Sequence, residues 1–148
     1  MATESVEDVV RAFWHAYATL DFERALDLLA DDVVYDDVGI NHTTTGRDAT
    51  RTMWMRFLEV VDPAGFEAPL HDLFTSDDGR YVLEWSNRVR VAGLWMGYPV
   101  AGRAFEIRGS SVGRVRNGRI VAHRDYWSAL DAFVQLGITD VPSPGRRQ

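Results

Sequence analysis

Arg114-Val115-Arg116-Asn117-Gly118-Arg119-Ile120-Val121-Ala122-His123-Arg124-Asp125-Tyr126-Trp127-Ser128 is the stretch from which the rest of the 148-residue chain can be read. Asn117-Gly118 predicts a type I′ turn, because that turn needs positive φ at both central positions and these two residues tolerate it. The flanking segments, Ala104 to Arg116 and Arg119 to Trp127, are therefore expected to pair as an antiparallel hairpin. Just beyond, Ser128 is placed to cap a short helix over 129–136 that Gly137 ends. Upstream, Phe66 to Phe74 and Tyr81 to Val91 read as two more strands, separated by the turn at Ser76 to Gly79, and Gly93 to Gly102 reads as a loop.

The first half changes period. Val6, Val9, Val10, Phe13, Tyr17 and Leu20 recur at steps of three and four, with Ser5, Glu7 and Asp8 at the start where a helix dipole favours negative charge. Asp21 can cap a second helix carrying Phe22, Ala25, Leu26 and Leu29 on one stripe. A short strand is predicted over Val33 to Val38, a loop over Gly39 to Gly46, and a helix over Asp48 to Val61 that Pro63 and Gly65 stop. Helices first and an antiparallel sheet second define an α+β class. One domain over residues 1–138 is expected, followed by a flexible tail over 139–148 that carries Pro142, Pro144 and Arg147.

Composition narrows the function. With 46% hydrophobic and 26% charged residues the chain can bury one core, and a net charge of −6 without any basic run makes nucleic acid an unexpected partner. Cysteine is absent, which removes disulfides, thiolate nucleophiles and cysteine-rich metal sites. No apolar stretch approaches the roughly 18 residues that cross a bilayer, and the acidic start lacks the basic flank of a signal peptide, so a cytoplasmic protein without membrane contact is expected. The four histidines, at 15, 42, 71 and 123, lack metal-ligand spacing, so no metal is expected. Gly109 to Gly113 matches G-x-S-x-G, but a nucleophile elbow needs a helix after the strand, and here a hairpin follows.

Three segments put charge inside strands: Leu29 to Asp37, Glu84 to Val91 and Arg119 to Ser128. Residues two apart share a strand face, so Tyr35 goes with Asp37, Arg88 with Arg90, and His123 with Asp125 and Trp127. Any one of these faces can simply be the wet side of a sheet. All three together, with Asp125 followed by two aromatics, favour a pocket. Glu84 and Arg90 can also pair on the outer sheet surface.

Helical hairpin, strand ending ADDVVYDD (30–37), then TTGRDAT (44–50), GYPVAGRAF (97–105), RVRNGRI (114–120) and HRDYWS (123–128) together resemble the nuclear transport factor 2-like superfold. Within it the chain is most similar to SnoaL-like polyketide cyclases and their relatives, the limonene-epoxide hydrolases and ketosteroid isomerases. The resemblance implies a cone-shaped α+β barrel, its curved mixed or antiparallel sheet packed on N-terminal helices around an apolar pocket, and a homodimer. It places Asp125 where the cyclases and epoxide hydrolases carry their working Asp, and Asp37 where the isomerases carry the proton-abstracting Asp. Tyr35 and Arg88 match the hydrolases' water-holding Tyr and their Arg. Arg90 stands where those hydrolases need a second Asp, which breaks their triad. The isomerases' oxyanion donors fall on Phe13, with Tyr17 one turn away, and on Ser110 or Ser111.

A cofactor-free acid/base enzyme acting on an apolar carbonyl compound follows, by intramolecular aldol cyclisation or isomerisation. Epoxide hydrolysis and non-catalytic small-molecule binding are the alternatives. Asp125, Asp37 and Arg88 are the catalytic candidates, Arg88 deciding which carboxylate holds a proton. Tyr35, His123, Trp127, Trp54, Phe57 and Tyr17 are the substrate-binding candidates, with no cofactor.

Overall fold

The computed structural model describes residues 4–140. Helix α1 (Val6–Ala18) opens on a capping box: the Ser5 hydroxyl accepts from the Asp8 amide, and the Asp8 carboxylate accepts from the Ser5 amide. Asp21 caps α2 (Phe22–Asp27) by accepting from the Arg24 amide. Of the stripes predicted from periodicity, Val9, Val10 and Phe13 on α1 and Phe22, Ala25 and Leu26 on α2 are buried, Val6 and Tyr17 are half-buried, Leu20 lies past the end of α1, and Leu29, expected on the second helix, opens β1 instead. Strand β1 (Leu29–Asp37) leads through a single 3-10 turn, Val38–Ile40, into β2 (His42–Thr45), which folds back antiparallel on β1. The expected loop over 39–46 is thus half strand. Its four residues are polar and lie at a sheet edge, so no apolar alternation marks them. Helix α3 (Arg47–Val60) follows.

The single strand predicted over 66–74 is two, β3 (Val61–Glu67) and β4 (Leu70–Thr75), divided at Ala68-Pro69. Pro63 is tolerated inside β3 because the strand lies at a sheet edge and its register with β5 (Arg80–Val91) shifts between Val61 and Phe66. A two-residue hairpin, β6 (Leu94–Trp95) and β7 (Tyr98–Pro99), sits inside the expected loop over 93–102. Strands β8 (Ala104–Arg116) and β9 (Arg119–Trp127) form the predicted hairpin, with φ of 52° at Asn117 and 74° at Gly118. Helix α4 (Ala129–Gln135) is capped by Ser128, which accepts from the Asp131 amide.

The seven-stranded sheet runs β2-β1-β9-β8-β5-β3, with β4 also paired to β5. Its β1–β9 pairing is parallel and the others antiparallel, so the sheet is mixed. It curves without closing: among the described residues no ladder joins β2 to β3 or β4, and the expected barrel is an open cone. Helices fill the gap, α1 against β4 and β5 and α3 between β1 and β3. Among the described residues no helix is long and apolar enough to cross a membrane. Of the expected tail, Asp140 accepts a hydrogen bond from the Tyr98 hydroxyl (2.6 Å), while residues 141–148 lie outside the described residues.

Candidate active site

Strand alternation decides which side chains meet inside the cone. The parallel register pairs Tyr35 with His123 and Asp37 with Asp125, and the β8–β9 hairpin pairs Ser111 with Asp125. Side chains paired in register share a sheet face. Both carboxylates therefore come from neighbouring strands onto one wall of a cavity of about 560 Å³, also lined by Tyr17, Tyr35, Trp54, Phe57, Trp85, Asn87, Trp95 and Trp127. Trp54 is buried, Phe57 half-buried.

Asp125 is held by three donors. Ser111 Oγ (2.5 Å) and His123 Nε2 (2.7 Å) donate to Oδ1, and the Tyr35 hydroxyl (2.7 Å) donates to Oδ2. One lone pair of Oδ2 is left toward the cavity. Behind it, His123 Nδ1 lies 2.7 Å from the Tyr81 hydroxyl, and Trp85 Nε1 donates to Ser111 Oγ (2.8 Å). His123 and Ser111 are wholly buried. The arrangement is a chain of satisfied buried polar groups, which fixes the carboxylate's orientation. Burial pushes the Asp125 carboxyl up, but the charge His123 carries when protonated and the hydrogen bonds from His123, Ser111 and Tyr35 outweigh it, leaving the group below its ordinary value.

Asp37 has a different environment. Trp127 Nε1 donates to its Oδ1 (2.7 Å), and the Ile40 and Gly39 amides also hold it. Burial first, and the neighbouring Asp125 charge second, raise its pKa to about 6. The pair thus splits into one firmly ionised carboxylate and one that exchanges its proton near neutrality. Burial and the same anion keep the Tyr35 and Tyr81 phenols protonated, well above the usual tyrosine range.

Three expectations are corrected. Arg88 does not face the cavity: it is exposed on the outer sheet surface, because β5 buries Tyr81, Leu83, Trp85, Asn87, Val89 and Val91 and turns the even positions out. Arg90, on the same outer phase, pairs with Asp62 (2.8 Å) rather than Glu84. The control expected of Arg88 over the two carboxylates falls instead to His123, Ser111 and Tyr35. His123, expected to touch substrate, is sealed beneath Asp125 with Phe13 packed edge-on against it at 5.2 Å.

Sequence reasoning missed Ser111 as a partner of Asp125, and Tyr81, Trp85, Asn87 and Trp95 altogether. The odd positions of β5, apolar except at Asn87, carry the phase that places Trp85 and Asn87 inward and Arg88 outward. Gly109 and Gly113 also find their purpose. A Cβ at Gly113 would overlap the Tyr81 ring and the Ala122 carbonyl, and one at Gly109 would overlap the Trp85 indole. The apparent nucleophile-elbow glycines are the gaps through which two β5 aromatics reach the site.

An open curved sheet, closed by helices around an apolar cavity with ionisable groups on its wall, is the nuclear transport factor 2-like architecture. The chain belongs to the SnoaL-like domain family, whose profile matches residues 10–123. It is similar to the epoxide hydrolase EphG of Mycobacterium tuberculosis, 34% identical over 128 residues that cover 86% of this chain and 76% of that one. In fold it resembles a protein with a ketosteroid isomerase-like fold from Catenulispora acidiphila, with a TM-score of 0.78 at 20% identity over 95% of this chain and all of that one (100%). It also resembles IdmH of Streptomyces antibioticus, assigned as a polyketide cyclase, with a TM-score of 0.76 at 24% identity over 90% of this chain and 99% of that one.

Proposed function

We propose that the protein is a cofactor-independent acid/base enzyme acting on an apolar, enolisable carbonyl compound, as an aldol cyclase or an isomerase. The observation that carries this reading is the register pairing of Asp37 with Asp125 on one cavity wall, two carboxylates in unlike environments. Asp37 takes the proton α to the substrate carbonyl, and the C–H electron pair moves into the enolate. In cyclisation the enolate carbon then attacks a second carbonyl of the same molecule, and protonated Asp37 returns its proton to the resulting alkoxide. In isomerisation the proton returns to another carbon of the same enolate. Asp125 remains ionised throughout and keeps Asp37 basic enough to act. A positioned base of this kind contributes about 10²–10⁴ in rate.

The test is deuterium incorporation at the α-carbon of 1-tetralone in D2O, followed by proton NMR. The wild type is expected to accelerate exchange well above buffer, and Asp37→Asn to lose about 10²–10⁴ of that acceleration. A wild type no faster than buffer overturns the reading.

Epoxide hydrolysis is the second reading, supported by the similarity to EphG and by the Tyr35–Asp125 hydrogen bond. There Asp125 takes a proton from water that Tyr35 helps to hold, the water oxygen attacks an epoxide carbon, and protonated Asp37 donates to the oxygen leaving that carbon. Against it, no second acid faces the cavity from β5, where Trp85 and Asn87 stand. Conversion of cyclohexene oxide to its diol, without ketone exchange, selects this reading. A homodimer formed through the outer sheet face, where Val34 and Tyr126 are exposed, accompanies either one and is checked by light scattering.

A further inference from the structure

The cavity holds a second polar place, away from the carboxylates. Asn87 is 6% exposed; its Nδ2 donates to the Tyr17 hydroxyl (3.2 Å), and its Oδ1 has no partner. Trp95 is 8% exposed, and its Nε1 also has no partner. Both side chains line the cavity. They belong to one stretch of wall: Val89, the next cavity-facing residue after Asn87 on β5, pairs with Phe105, and the Trp95 ring rests edge-on against Phe105 at 4.8 Å. Among the buried side-chain polar atoms of the described residues only Arg47 Nε is also unpaired, so an unpaired donor and an unpaired acceptor on the wall of one cavity are out of character for the fold.

Leu83 shares a cross-strand row with Ser111 and Asp125. Asn87 lies four residues further along β5. At about 3.3 Å per residue and about 4.8 Å per strand, its Cα is roughly 16 Å from that of Asp125 along the sheet, and both side chains reach inward from there. A ligand touching both ends is a fused-ring skeleton with oxygens at opposite edges.

We infer that Asn87 and Trp95 form a specificity subsite for a hydroxyl group on the substrate, at the edge remote from the carbon that Asp37 deprotonates. The chemistry selects a hydroxyl because its oxygen accepts from Trp95 Nε1 while its proton goes to Asn87 Oδ1; an ether or ketone satisfies only the first, and a hydrocarbon neither. The inference rests on the acid/base reading for which end reacts, but its own signal is binding.

The experiment compares 1-tetralone with 6-hydroxy-1-tetralone by quenching of tryptophan fluorescence, in the wild type, Asn87→Leu, Trp95→Phe and Asp37→Asn. The wild type is expected to prefer the hydroxylated ketone by about tenfold, the magnitude of a buried hydrogen-bonded pair. Asn87→Leu removes the acceptor and Trp95→Phe removes the N–H while keeping a ring; each is expected to cut the preference to twofold or less. Asp37→Asn is expected to keep the full preference although it no longer exchanges protons, which separates the subsite from the chemistry. A wild-type preference below twofold, or one that Trp95→Phe or a folded Asn87→Leu leaves intact, overturns the subsite. Loss of proton exchange with the preference intact overturns only the catalytic reading.

Discussion

Asp37 and Asp125 sit side by side yet titrate apart: the His123 charge and three side-chain donors hold Asp125 down, whereas at Asp37 burial and the Asp125 charge outweigh the Trp127 and backbone donors. Asp37 carries a folded-state pKa of about 6 against 3.8 for the free side chain. The folded state therefore binds this proton more tightly than the unfolded chain, and stability falls as pH rises from about 4 through about 6. Replacing the group by its neutral isostere removes that loss. Asp37→Asn is expected to be more stable than the wild type by about 1–3 kcal/mol at pH 7.5, with the gain shrinking towards zero near pH 4, as read from urea midpoints. An equal gain at both pH values would mean that ionisation is not its source. The Asp125 charge is the second cause of the raised value, so Asp125→Asn is expected to move the Asp37 titration toward acid, observed by carboxyl carbon NMR. Charge inside strands, with aromatics after Asp125, pointed to a pocket in the sequence, and the family resemblance placed working carboxylates at Asp37 and Asp125. Arg88 was misplaced because residue identity was followed instead of pleat phase, and a one-residue error in phase turns a side chain through the sheet.

At the level of the elements, what could be read followed from local chemistry. Asn117-Gly118 specified the β8–β9 hairpin, and Ser5, Asp21 and Ser128 marked three helix starts. The parallel β1–β9 pairing joins residues about ninety apart in sequence, such as Asp37 and Asp125, and no periodicity encodes a partner at that separation. Strand β2 and the β6–β7 hairpin were missed because two to four residues are too few to show alternation. The glycines of β8 are the element-scale feature that links fold to site. Gly113 faces Tyr81 and Gly109 faces Trp85, and each aromatic in turn bonds to the group that positions Asp125. Gly113→Ala forces the Tyr81 ring or the β9 backbone to move. A loss of about 1–3 kcal/mol is expected by urea denaturation, the usual cost of overpacking, with a drop in α-proton exchange because Tyr81 no longer meets His123. If exchange is untouched while stability falls, the Tyr81–His123 contact serves the fold and not the acid.

For the whole molecule, the open cone has a physical consequence. The sheet is bridged by helices rather than closed by hydrogen bonds, so the concave face needs α1, α2 and α3 to cover it, and the cavity is the volume they leave unfilled. Sequence patterns announced the helices and the sheet, but whether the edge strands meet depends on accumulated twist, which no single segment carries. A cavity of about 560 Å³ lined by several tryptophans lacks the packing contacts that a filled core of the same size would have. An apolar bicyclic ligand that occupies it binds the folded chain and not the unfolded one, which shifts the unfolding equilibrium by mass action. At a ligand concentration 100 times its dissociation constant the stabilisation is about 2.7 kcal/mol, enough to raise the melting temperature of a chain this size by roughly 5–10 °C. We expect 1-tetralone to produce that rise, increasing with the logarithm of concentration above saturation. Trp54→Ala, which opens the wall between α3 and Tyr35, should weaken it. A melting temperature indifferent to the ketone, while tryptophan fluorescence still responds, would mean that the ketone does not prefer the folded chain, which overturns the cavity as its site.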